Sequence, residues 1–101
     1  MNADNPDDFL DLVDQAIFET DDLIACAQYE ADSDEDFAGM LPVYRQLRAE
    51  LEKLHAAVRA GSHAFGAGAD LPFLALVRRY RGRVPTSGLL EAINEIQRKG
   101  F

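Results

Sequence analysis

The sequence predicts an all-α protein: a long antiparallel helical hairpin followed by two short C-terminal helices, one bundle-like domain of 101 residues. Three observations carry this expectation. Phe37, Met40, Tyr44, Leu47, Leu51, Leu54 and Val58 recur at alternating spacings of three and four, which lays a continuous apolar stripe along one helix. A second stripe of the same period begins at Phe9, and only the short link Glu30-Ala31-Asp32-Ser33-Asp34 joins the two, so the helices are expected to lie antiparallel. No segment alternates apolar and polar residues as a half-buried strand does.

The first helix is predicted from Pro6 to about Tyr29. Asn5 is a good N-cap, Pro6 suits the first helical position, and Asp7 and Asp8 sit where the helix dipole favours carboxylates. Phe9, Leu10, Val13, Ala16, Ile17, Leu23, Ile24 and Ala27 share one face, with Thr20 its only polar member. Phe18, Ala25, Cys26 and Tyr29 point the other way, among Asp11, Asp14, Glu19 and Asp22. Either the C-terminal helices cover Phe18, or it is an isolated surface side chain, or it belongs to a partner-binding patch.

The second helix is predicted over residues 34–60, with Ser33 as N-cap and Asp36 three residues on in the manner of a capping box. The stripe keeps its phase across Pro42, which favours one helix kinked there; the alternative is a break near Gly39 with Pro42 starting afresh. Arg59 and Gly61 make a conventional C-terminus. Residues 61–70, rich in glycine, form the only flexible-looking segment. Asp70 is expected to cap a third helix over residues 71–81, stopped by Gly82, with Phe73, Leu74, Val77 and Tyr80 inward. The fourth is predicted over residues 88–98, with Leu89, Leu90, Ile93 and Ile96 inward and Glu91, Asn94 and Glu95 outward.

Composition narrows the functional classes. Apolar residues at 48% and charged residues at 28% are ordinary for a folded globular chain and exclude wholesale disorder. Cys26 is the only cysteine, so no internal disulfide forms and a reducing, cytoplasmic location is the natural expectation. The opening residues carry no basic, apolar signal segment, and no stretch approaches the ~20 apolar residues that a membrane-spanning helix needs. The net charge of −8 is distributed unevenly: Met1 to Asp36 holds thirteen acidic residues and no Lys or Arg, whereas Gly61 to Phe101 holds six basic residues against three acidic. Such a field repels nucleic acid from one end and draws a basic partner to it.

No chemical motif is complete. Asp32, Asp34 and Asp36 alternate like the first calcium ligands of an EF-hand, but Phe37 and Val43 stand where glycine and a bidentate glutamate are required. Glu52 and His55 form one Glu-x-x-His pair of a carboxylate-bridged metal bundle, which needs a second pair and two more glutamates; a dimer would supply the second pair. Cys26 has no base near it in sequence, and its acidic surroundings oppose thiolate formation. The glycine loop lacks the Gly-Lys-Ser/Thr ending of a phosphate-binding loop. Arg78, Arg79, Arg81 and Arg83 around Tyr80 are the most localised positive feature; the expectation is that they cap the third helix and pair with the acidic first helix of the same molecule or of a neighbour, and the alternative is a nucleic-acid contact.

The expected function is therefore that of a non-enzymatic, cofactor-free protein interaction module. Phe18, Asp22 and Tyr29 would contact a basic protein partner, with Arg78, Arg79 and Arg81 as a second candidate surface. Self-association as a homodimer, a regulatory or nucleic-acid-associated role through Arg78 to Arg83, and a Glu52/His55 metal bundle are the alternatives.

Overall fold

In the computed structural model, residues 3–29 and 38–101 are described. Among them the chain forms α1 (Pro6–Tyr29), α2 (Leu41–Arg59), α3 (Leu74–Arg79) and α4 (Ser87–Lys99), with no strand. The expected link, its Ser33 cap, the Asp32-Asp34-Asp36 alternation and Phe37 lie outside the described residues.

The start of α1 follows from its capping chemistry: the Asp8 amide donates to Asn5 Oδ1 at 2.9 Å, and Phe9 N–H closes the first turn onto the Asn5 carbonyl at 3.1 Å. Phe9, Val13, Ala16, Thr20 and Ala27 are buried, and Thr20 meets the cost of its polar atom by donating to the Ala16 carbonyl at 2.7 Å. On α2 the buried stripe is Val43, Tyr44, Leu47, Leu51, Leu54 and Val58. The two helices run antiparallel, because Arg48 reaches Asp21 whereas His55, one to two turns further along α2, reaches back to Asp14.

One kinked second helix is not what forms. Gly39 and Met40 are in a turn, α2 starts at Leu41, and Pro42 occupies its first turn. Proline costs little there because the early amides of a helix have no intrahelical acceptor in any case. The C-terminus of α2 does behave as its sequence implies: Gly61 takes φ +73°, its amide bonds the Val58 carbonyl at 3.1 Å, and Ser62 N–H bonds Ala57 at 2.9 Å, the double bond of a Schellman ending.

The segment from residue 62 to 70 is docked along α4. Gly66 N–H donates to Gln97 O at 2.8 Å and Gly68 N–H to Arg98 O at 3.2 Å, which satisfies carbonyls that the end of α4 leaves without partners. The two backbones approach so closely that a Cβ on Gly100 would stand 3.3 Å from the Gly66 nitrogen and Cα, and both glycines have positive φ. Phe65 turns inward from this segment, with its ring edge-on to Phe9 at 5.1 Å and against Phe101 at 4.8 Å. The contact between Phe101 and Phe9 places the end of α4 beside the start of α1. Thus α4 runs antiparallel to α1, and the core between the helices also takes in Leu74 and Val77 of α3 with the flanking Leu71, Phe73 and Val84.

The third helix is shorter than its sequence suggests. Leu71 to Phe73 form a tight turn in which Leu74 N–H bonds Leu71 O at 3.1 Å, and α3 proper has six residues. Asp70 is not its cap; the N-cap position is Phe73, with no side-chain bond. Asp70 instead accepts from Asn94 Nδ2 at 3.1 Å. Asn94, expected on the exterior of the fourth helix, is in fact 4% exposed, and Gln97 is 3% exposed. The molecule measures 44 × 21 × 21 Å, which matches a bundle whose longest helix, at 1.5 Å per residue, is about 36 Å long.

Candidate interaction surface

The outward face of α1 is built by the helical period. Seven carboxylates and no Lys or Arg lie on this helix, and Asp11, Asp14, Phe18, Asp22, Ala25, Cys26 and Tyr29 are exposed on the side away from its buried positions. Phe18 is 67% exposed and Tyr29 88% exposed, so no C-terminal helix covers Phe18. Ala25 and Cys26 are also at the surface.

The carboxylates of α1 divide into two groups. Asp21 is paired with Arg48 Nε, and Asp14 lies 2.9 Å from His55 Nε2. Arg48 also reaches Glu52 at 2.6 Å, and these bonds to Asp21 first and Glu52 second raise its already high pKa. Glu19 and Asp22 form no ion pair among the described residues. They line, with Gln15 and Leu23, one wall of an open groove of about 390 Å³. The opposite wall is the start of α4: Pro85, Thr86, Gly88 and Leu89.

Thr86 is the N-cap residue of α4, yet its side chain makes no capping bond. It is 8% exposed, and its Oγ1 is buried without a hydrogen-bond partner. An unsatisfied buried hydroxyl is rare enough in folded proteins to require an explanation.

Arg78 and Arg81 pair within their own half of the molecule, and this corrects the expectation that they pair with α1 of the same molecule. Arg78 Nη1 is 3.3 Å from Asp70 Oδ2, Arg81 pairs with Glu91, and Arg79 lies over the Tyr80 ring at 5.4 Å from its centroid. Arg83 contributes its carbonyl, which accepts from the Tyr44 hydroxyl at 2.9 Å. Burial holds the Tyr44 phenol above its ordinary pKa, and the nearby Arg83 charge opposes that effect.

A polar network that the sequence reading missed lies beneath this cluster. Asn94 Oδ1 accepts from the Leu71 amide at 2.7 Å, and Gln97 Nε2 donates to Ala69 O at 2.6 Å and to Asn94 Oδ1 at 3.2 Å. His63 Nε2 stands 3.0 Å from Gln97 Oε1. The Asn94 hydrogen bond, then Arg78 and Arg98, depress the Asp70 pKa against the opposing effect of partial desolvation. A signal was present in the sequence: Asn94 and Gln97 continue the three-and-four spacing of Leu90 and Ile93.

Glu52 and His55, the candidate metal pair, diverge to different partners, Arg48 and Asp14. Among the described residues no group of three or more His, Cys, Asp or Glu is arranged to hold a metal ion. Among them, too, no helix is long and apolar enough to cross a membrane.

Fold and surface together define a class, an all-α domain with four helices among the described residues and one acidic, aromatic-bearing face. Compared with protein-family models, curated proteins and solved structures, the chain matches none.

Proposed function

We propose that this domain is a non-enzymatic interaction module of the cytoplasm that binds a basic protein segment across the outward face of α1. The observation that carries the reading is Phe18, two-thirds exposed on a helix with seven carboxylates and no cation. Burying such a ring against a partner contributes roughly 1.5–3 kcal/mol, and it is the kind of aromatic anchor on which interfaces concentrate their energy. The carboxylates around it supply steering and selection more than raw affinity. Tyr29, at the end of the same helix, extends the aromatic surface.

A second copy meeting this face with its own would oppose two sets of carboxylates, so the partner argued for is a different, basic chain. Against a nucleic-acid role through Arg78, Arg79 and Arg81 stands the pairing of Arg78 with Asp70 and of Arg81 with Glu91, carboxylates that a phosphate would first have to displace.

The test is co-purification from the native cell with Phe18→Glu as the control. The variant is expected to keep its helical content and melting temperature and to lose the partner. Raising salt from about 0.1 M to about 1 M shortens the Debye length from about 10 Å to about 3 Å, and the complex is expected to weaken accordingly. A partner retained by Phe18→Glu, or a complex indifferent to salt, would refute the reading.

A further inference from the structure

We propose that residues 62–71 form one latch, a strap that fastens to the last turns of α4 and releases from them as a single cooperative unit, held by a side-chain relay that fixes His63 as the tautomer protonated at Nε2. The strap reaches α4 at both of its ends. His63 Nε2 stands 3.0 Å from Gln97 Oε1 at one end, and at the other the Leu71 amide donates to Asn94 Oδ1 at 2.7 Å. Asn94 and Gln97 are three residues apart, so both fastenings meet on one turn of α4. Between them Gly66 and Gly68 donate to the Gln97 and Arg98 carbonyls.

The direction of the relay follows from its fixed members. The Leu71 N–H can only donate, so the Asn94 atom facing it is the oxygen, and the Asn94 nitrogen turns to the Asp70 carboxylate, 3.1 Å away. The Ala69 carbonyl can only accept, so the Gln97 atom 2.6 Å from it is the nitrogen, whose second hydrogen goes to Asn94 Oδ1 at 3.2 Å. Reversing either amide would set like against like around it. The Gln97 oxygen is thereby left facing His63 and needs a donor, so His63 Nε2 carries the proton.

Cooperativity follows from burial. Asn94 is 4% and Gln97 3% exposed, so water does not readily replace a lost partner at either amide. Releasing His63 alone strands the Gln97 oxygen, and releasing residues 69–71 alone strands the Asn94 oxygen and a Gln97 hydrogen. Phe65 adds an apolar fastening to the same strap: its ring meets Phe9, Phe101 and the His63 ring, and release uncovers that aromatic cluster. Neither end detaches cheaply while the other stays. Gly61, at φ +73° with open space where a Cβ would stand, supplies the hinge.

The experiment is amide hydrogen exchange on the full chain in sub-denaturing urea, read by NMR. The Gly66, Gly68 and Leu71 amides are expected to exchange with one shared free energy and one shared urea dependence, below those of the core amides of Leu51 and Ile93. His63→Phe keeps a ring against Phe65 and removes the donor; it is expected to speed exchange at all three amides by the same factor, on the order of tenfold, Leu71 included. Nitrogen NMR of the wild-type imidazoles in alkaline solution is expected to show His63 with a protonated Nε2 and a bare Nδ1. Leu71 exchanging with a different free energy from Gly66, or unaffected by His63→Phe, would overturn the single unit. Exchange of all three amides only together with the core would overturn a strap that opens by itself. A bare Nε2 would overturn the relay and with it the latch.

Discussion

Asn94 joins more of this molecule than any residue its sequence neighbourhood would suggest. Its amide oxygen takes the buried Leu71 amide and its nitrogen holds Asp70, so one side chain ties α4 to the start of the α3 turn. Replacing it with leucine keeps much of the volume but leaves the Leu71 N–H buried without an acceptor. That is expected to cost about 1–3 kcal/mol in urea denaturation. Asp70 gives a pH signature of definite sign. Its folded pKa is depressed below the usual 3.8, so the stability it contributes is fully present above that value and is lost as pH falls through the lower, folded-state pKa. The Asp70→Asn variant is expected to show a shallower loss of stability on acidification below about pH 4 than the parent. Tyr44 has the opposite sense: its raised pKa means that its contribution is present below pH 10.0 and is lost as the phenol ionises above it.

Among the elements, α2 and the segment after it depart most from a linear reading. Pro42 in the interior of one kinked helix would cost about 3 kcal/mol, and its replacement would stabilise the protein by a comparable amount. Placed in the first turn of α2, it is expected to be almost neutral: Pro42→Ala should shift unfolding stability by less than about 1 kcal/mol, and a large stabilisation would contradict the break at Gly39 and Met40. The glycine-rich segment looks flexible by composition but is pinned by two backbone bonds and by Phe65 against Phe9 and Phe101. Phe65→Ala is expected to cost about 2–3 kcal/mol in thermal or urea unfolding, at the low end for phenylalanine because the ring is only half-buried.

At the scale of the whole molecule, burial and charge are separated in space. The core lies among α1, α2, α3 and α4, and the basic C-terminal half neutralises much of itself through Arg78, Arg81 and Arg98. What remains outward on α1 therefore adds little to folding. Phe18→Glu is expected to change unfolding stability by less than about 0.5 kcal/mol, whereas Phe9→Ala, fully buried on the opposite face, should cost about 3–5 kcal/mol. That contrast, measured on the isolated domain, separates the solvent face of α1 from the face that holds the fold.

The all-helical class, the apolar stripes of α1 and α2 and the antiparallel run of those two helices were legible in the order of residues because each rests on local physics: a period of 3.6, the Asn5 cap, and Gly61 just past the end of α2. Partners distant along the chain were not. Asn94 meets Asp70 across 24 residues, and Arg48 meets Asp21 across 27, so no window of sequence contains both members of either bond. Whether a polar side chain on a helix stripe faces water or a loop backbone depends on where that loop returns. Only tertiary structure decided that Asn94 and Gln97 are buried, that the arginines stay with their own half, and that Phe18 is left in solvent.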